Sequence, residues 1–202
     1  MRSSFGSASR QFSPARLERQ SIAVLGLLLA FMAVAGCGGS ESSANSPSRA
    51  LSAATKHDAD LFDDAIEPKA VGLDYDQALD PRIDSKFRER AQVADGIVRA
   101  RIETVTARGE GTEARYDLAF RSVEKLAGQP PKDDFTLHIE GDNPSSGIVR
   151  SMQTTLGGKT FVVFMREFKR ADGEPEWHFH MSPDTKEVAG AARDATTLAQ
   201  MQ

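Results

Sequence analysis

A single cysteine, Cys37, occurs among the 202 residues. One thiol cannot close an intramolecular disulfide, so the folded part has to be held by its core and not by cross-links. Tryptophan is as scarce: Trp177 stands alone, and its strand parity with Phe179 and Met181 makes it a core residue rather than a ligand platform. Long apolar runs are missing too. The longest, Ile22 to Ala35, has fourteen residues, short of the about 20 that a helix needs to cross a bilayer. Nor is there a basic surplus, since 25 Lys and Arg stand against 29 Asp and Glu. A chain without a basic stripe is not built to neutralise a phosphate backbone, so no nucleic-acid partner is expected. The sequence also lacks H-E-x-x-H, G-x-S-x-G, a Walker loop and C-x-x-C. Zinc peptidase, serine hydrolase, nucleotide-binding and dithiol redox readings therefore have no motif behind them.

What is present begins with an address. Arg16 and Arg19 form a positive stretch before the apolar run, and the small residues Ala35 and Gly36 follow it. That order is the physical pattern of a cleaved export signal. The competing readings are a buried core helix and an ordinary signal peptide with a chance cysteine. The Gly- and Ser-rich sequence after Cys37 offers an apolar helix no continuation. The tetrad Val34-Ala35-Gly36-Cys37 resembles the lipobox of bacterial lipoproteins. The resemblance implies that Cys37 is diacylated, becomes the mature N-terminus and holds the protein in the cell envelope. Gly38 follows the cysteine where Asp would signal inner-membrane retention in enteric lipoproteins, which favours the outer membrane. Loss of residues 1–36 would remove four of the 25 basic residues and one of the 29 acidic ones, leaving a net charge of −7.

Beyond the signal, residues 37–55 are rich in Ser, Gly and Ala and read as a flexible tether. Residues 56–92 form an acidic, partly helical segment. Leu61, Phe62, Ala65 and Ile66 have helical spacing before Pro68, and Arg82 to Gln92 can form a charged helix after Pro81. From Val93 to the end, strand patterns alternate with turn chemistry. Val98, Ala100, Ile102 and Thr104 define a first strand, Tyr116, Leu118 and Phe120 a second, and Phe135, Leu137 and Ile139 a third. A helix over Ser145 to Leu156 follows. The fourth strand, Thr160 to Phe168, is apolar on both faces and marks the centre of the core. Asp172-Gly173 is a hairpin signal leading into a fifth strand, Glu176 to Met181. A closing helix is expected with Ser182 as N-cap and Pro183 at its first position.

This order predicts a mainly β domain at 93–202. The expected architecture is a five-stranded OB-like Greek-key barrel, with a helix between strands three and four and another at the C-terminus. An antiparallel sandwich with helices at its ends is the competing fold. The stretches Ala94-Asp95-Gly96-Ile97-Val98, Tyr116-Asp117-Leu118, Leu126-Ala127-Gly128 and Leu156 to Phe164 resemble the netrin-type, or tissue-inhibitor-of-metalloproteinase-like, OB domains. The similarity covers roughly residues 93 to 181 and implies a binding or scaffolding module. The family's inhibitors reach a protease zinc through an amino-terminal cysteine; the domain here has none, so protease inhibition is not implied.

Three groups of side chains are candidates for a site. His178 and His180 share one strand face, and in an OB barrel the third strand, with His138, pairs with the fifth. Three imidazoles meeting there would suit zinc or copper with an open fourth position. The plainer reading of His138, His178 and His180 is three separate surface histidines. Arg115, Asp117 and Arg121, on the outer face of strand two, lie where OB domains bind ligands; a solvated strand face explains them as well. Asp74 and Asp76 have a spacing that can serve a divalent cation, though a solvated loop is the simpler account. The function expected is that of a membrane-anchored envelope lipoprotein, a non-catalytic binding module for an envelope protein or an extracellular ligand. A metal-dependent hydrolase built on the histidines and a purely structural envelope component are the alternatives.

Overall fold

A computed structural model describes residues 51–73, 79–110 and 113–201. The export signal at 1–36, Cys37, most of the tether, and Asp74 and Asp76 lie outside the described residues. Elements follow in the order α1 (Lys56–Leu61), β1 (Ala65–Ile66), a 3-10 turn (Pro68–Val71), α2 (Ser85–Val93), β2 (Gly96–Arg108), β3 (Arg115–Gly128), β4 (Asp134–Glu140), α3 (Ser146–Leu156), β5 (Thr160–Lys169), β6 (Pro175–Pro183) and α4 (Lys186–Gln200). The fold is mainly β: a curled six-stranded sheet, half a barrel, carrying four helices among the described residues. Its strand order is β1-β6-β5-β2-β3-β4. The curl is built into β2, whose pairing with β3 slips at Ile97/Val98, Arg99/Ala100 and Ile102/Thr104. Each extra residue on one side of a ladder bends and twists the strand.

β5 explains how the sheet is covered on both faces. Phe161, Val163 and Met165 point into one cluster with Val98, Ile102, Leu118, Ile139, Leu156 and Phe179. Val162, Phe164 and Phe168 point into the other, with Leu61, Phe62 and Phe87, Ala91, Val188 and Ala192 of the helices. A period of two on a central strand produces both sets at once, which is why β5 reads as apolar throughout. Helices α1, α2 and α4 therefore share one face of the sheet, and residues 56–92 belong to the same packed unit as the strands. The described residues fall in one compact unit. Ser52 is tied to it as well, its carbonyl accepting from Lys169 N at 2.9 Å.

Five expectations need correction. Six strands are present among the described residues rather than five. The third predicted strand, β4, pairs with β3 alone, and the expected ladder between it and the fifth predicted strand, β6, is not formed; β1 lies beside β6 instead. The helix expected across Leu61 to Ile66 ends at Leu61, where the chain turns. Asp64 takes a left-handed φ of 51°, its N–H donates to Phe179 O at 2.9 Å, and its carboxylate accepts from Phe179 N at 3.0 Å. These bonds to β6 hold a conformation that costs a non-glycine residue on the order of 1 kcal/mol or more. Ala65 and Ile66 then pair in parallel with His180 and Met181.

The C-terminal helix begins later than expected. β6 continues opposite β5 through Ser182 and Pro183, and the cap is Thr185, whose Oγ1 accepts from Val188 N at 3.2 Å. Helix α2 likewise starts at Ser85 behind Asp84, which accepts from Lys86 N at 2.9 Å. In both places the residue nearest the first turn with a free side-chain oxygen takes the cap, and the proline lies outside the helix.

Candidate functional site

The structure separates the three histidines proposed from sequence. His138 lies on β4, opposite Asp117 on β3, while His178 and His180 lie on β6, with β5, β2 and β3 between the two strands in the sheet. Among the described residues, no group of three His, Cys, Asp or Glu side chains is gathered to hold a metal. Each histidine is instead hydrogen-bonded to a carboxylate of its own. His138 Nδ1 is 2.7 Å from Asp117 Oδ1, His178 Nδ1 is 2.7 Å from Asp64 Oδ2, and His180 Nδ1 is 2.7 Å from Asp63 Oδ1. The fourth, His57, faces Glu89 at 2.6 Å.

Arg115, Asp117 and Arg121 are also engaged. Asp117 receives Arg108 Nε at 2.6 Å and Arg115 Nε at 3.4 Å besides His138. Burial pushes its carboxyl up, but the His138 hydrogen bond and the two guanidinium groups outweigh burial and hold it below the usual range. Arg121 pairs with Asp134 at 3.1 Å, both exposed. These contacts make an ion-pair lattice along the outer face of β3 and β4, and exposed pairs of this kind contribute little individually.

A different place has the properties of a binding site. A cavity of about 670 Å³ opens between α2, the start of α4 and the end of β6. That volume falls in the range of small-molecule sites. Three polar side chains among its lining come from positions that pattern alone would make apolar: Arg90, His180 and Ser182. Arg90 follows Phe87 by one helical turn and precedes Ala91, so it sits on the inward face of α2 and is 5 % exposed. His180 and Ser182 alternate with Phe179 and Met181 along β6 and share the opposite face.

Each of the three has a defined electrostatic state. Arg90 donates through Nε to Leu61 O at 2.6 Å and lies over the Phe164 ring, 6.0 Å from its centre. Its terminal nitrogens have no hydrogen-bond or ion-pair partner among the described residues. Burial lowers the guanidinium's pKa, against the charges of Asp63, Glu67 and Asp84, yet a guanidinium keeps its proton in proteins. His180 is held below its ordinary value by burial, with Arg90 adding to the effect and the Asp63 bond opposing it. Asp63 is pushed up by burial but pulled further down by the His180 hydrogen bond, with the Arg90 charge adding to it, so it is ionised. A neutral His180 facing an ionised carboxylate donates through Nδ1, leaving Nε2 as a bare acceptor. Ser182 is 1 % exposed and its Oγ has no partner among the described residues. Buried hydroxyls are ordinarily satisfied, so this one is conspicuous.

Asp63 and His180 are arranged as a carboxylate-oriented imidazole, the base half of a hydrolytic triad. Ser182 Oγ bonds to neither, and the contact between nucleophile and base that such chemistry needs is not made. What the floor offers is recognition: cationic donors, a neutral acceptor and a hydroxyl, beside the apolar Phe87 and Val188. None of Arg90, Asp63, Asp64 or Ser182 is singled out by a motif. The signal that was available is positional, a charge on the apolar face of α2 and a polar run at alternate positions of β6. No family model matches the chain, and neither a curated protein nor a solved structure is found similar to it.

Proposed function

We propose that the chain is a bacterial envelope lipoprotein, anchored in the membrane through a diacylated Cys37, whose folded unit is a non-catalytic binding module. The observation that carries the binding reading is the cavity under α2, where a buried Ser182 hydroxyl has no hydrogen-bond partner among the described residues and Arg90 uses only Nε, on Leu61 O. Groups left unsatisfied in a folded protein destabilise it, and a ligand that completes them gives a reason for their presence. The strands β2 to β6 are read as an OB-like Greek key. Support comes from the order β6-β5-β2-β3-β4 and from α3 lying between β4 and β5. In this reading β1 takes the edge of β6 that a closed barrel would give to β4.

The test uses the full chain produced in a bacterium that processes lipoproteins. The protein should partition with membranes, favouring the outer membrane as Gly38 implies, and Cys37→Ser should release it to the soluble fraction. Native mass spectrometry of the extracted protein should find a small molecule bound, and Val188→Phe, which projects a ring into the cavity, should lose it. An empty wild-type protein that associates with itself as concentration rises would replace this reading with that of a structural envelope component.

A further inference from the structure

We propose that the cavity binds a small carboxylate whose adjoining atom bears an N–H, the arrangement found in an acylated amino acid. The proposal rests on reading this cavity as the binding site and adds the chemistry of its ligand. The terminal nitrogens of Arg90 form a planar fork, and a carboxylate accepts two parallel hydrogen bonds from such a fork. Arg90 is the buried cation of a lining it shares with His180 and Ser182; around it Lys69, Arg82 and Lys86 stand against Glu67, Asp80, Asp84 and Glu187, with Asp63 beneath His180. A singly charged group matches the one buried fork and adds less repulsion to this balanced, Asp63-bearing surround than a phosphate dianion would.

His180 narrows the choice. Asp63 occupies Nδ1, so Nε2 can only accept, and a bare carboxylate offers it nothing. An N–H one bond from the carbon that bears the carboxylate supplies the donor on the side facing β6. Ser182 Oγ serves either partner, donating to the carboxylate or accepting from the N–H. Phe87 and Val188, 5 % and 9 % exposed, form the wall against which an aliphatic side chain loses its water. At about 670 Å³ the cavity holds a molecule of that size.

The experiment is an NMR titration of the full chain with three probes: N-acetyl-leucine, its methyl ester, and isopentylamine. Backbone signals of Arg90, His180 and Ser182 report on the site. The expected result is saturable movement with the acid and binding about ten- to a hundred-fold weaker for the ester, the range for losing a charge-assisted hydrogen-bonded pair. Arg90→Gln should weaken the acid by a similar factor, and Ser182→Ala severalfold. If Arg90→Gln fails to fold, the ester and Ser182→Ala decide the matter, because neither disturbs the bond from Arg90 to Leu61. Movement of the same signals by the ester or the amine, as strongly as by the acid, overturns the carboxylate while leaving the cavity as a binding site. Silence with all three probes overturns both.

Discussion

His180 Nδ1 lies 2.7 Å from Asp63 Oδ1, and this bond fastens the bend after α1 to the strand that forms the cavity floor. The Asp63 carbonyl is held as well, accepting from Asn143 Nδ2 at 2.9 Å. Replacing His180 with Ala leaves a half-exposed carboxylate without its donor and empties space beside Arg90. The expected cost is about 1 to 3 kcal/mol, read as a lower midpoint in urea unfolding with an unchanged slope.

The two histidines of β6 should pull the pH profile in opposite directions. The Asp64 hydrogen bond, helped by the charges of Asp64 and Glu176, holds His178 above its ordinary 6.5 against burial. Its contribution is complete below about pH 6.5 and is lost as pH rises through the raised value in the folded protein. His180 is depressed, chiefly by burial, so its contribution is present above about pH 6.5 and disappears as pH falls towards its lowered value. Urea midpoints measured across pH should show His178→Gln losing the decline on the alkaline side. His180→Gln should lose the decline on the mildly acidic side. A profile unchanged in both variants would contradict the assigned pairs.

Thr185 holds the N-cap that the sequence pattern assigns to Ser182, and the alanine variants of the two distinguish them. Thr185→Ala removes the oxygen that accepts from Val188 N and should cost about 1 kcal/mol. Ser182→Ala deletes a buried hydroxyl that bonds to nothing among the described residues, so stability should stay level or rise. The reverse ranking in thermal or urea unfolding would return the cap to Ser182.

Gly128 closes β3 with a φ of 64°, and a Cβ there would stand 2.2 Å from the Asp95 carbonyl oxygen. Gly128→Ala is therefore expected to destabilise by about 1 to 3 kcal/mol. Gly157 is the control: its φ is −56°, and a methyl group added there would meet nothing within 4 Å. Gly157→Ala should stay within about 0.5 kcal/mol. Equilibrium unfolding of the pair separates backbone strain from a general dislike of alanine.

The strands β2 to β6 and helix α3 were legible because period-two alternation and turn residues are local signals, and β5 announced its double burial in an unbroken apolar run. β1 was not. Two residues have no period, and their pairing depends on His180 and Met181, far along the chain. The same distance defeated the histidine cluster: parity correctly put His178 and His180 on one face, but which strand His138 adjoins is a matter of long-range order. Ser182 was misread for a related reason. Its neighbour Pro183 is a good first helical residue, and only the ladder to Val162 and Phe161 keeps both in the strand.

Asp64 and Phe179 are 115 positions apart and yet exchange two hydrogen bonds. A ribosome delivers the first of them long before the second, so Asp64 must wait with its turn unformed while the sheet assembles around β2 and β3. Truncation before β6 would therefore remove more than the last strand: the early segment would lose its mooring, and with it the floor beneath Arg90. Completion of the chain, rather than any single local nucleus, is what brings the cavity into being.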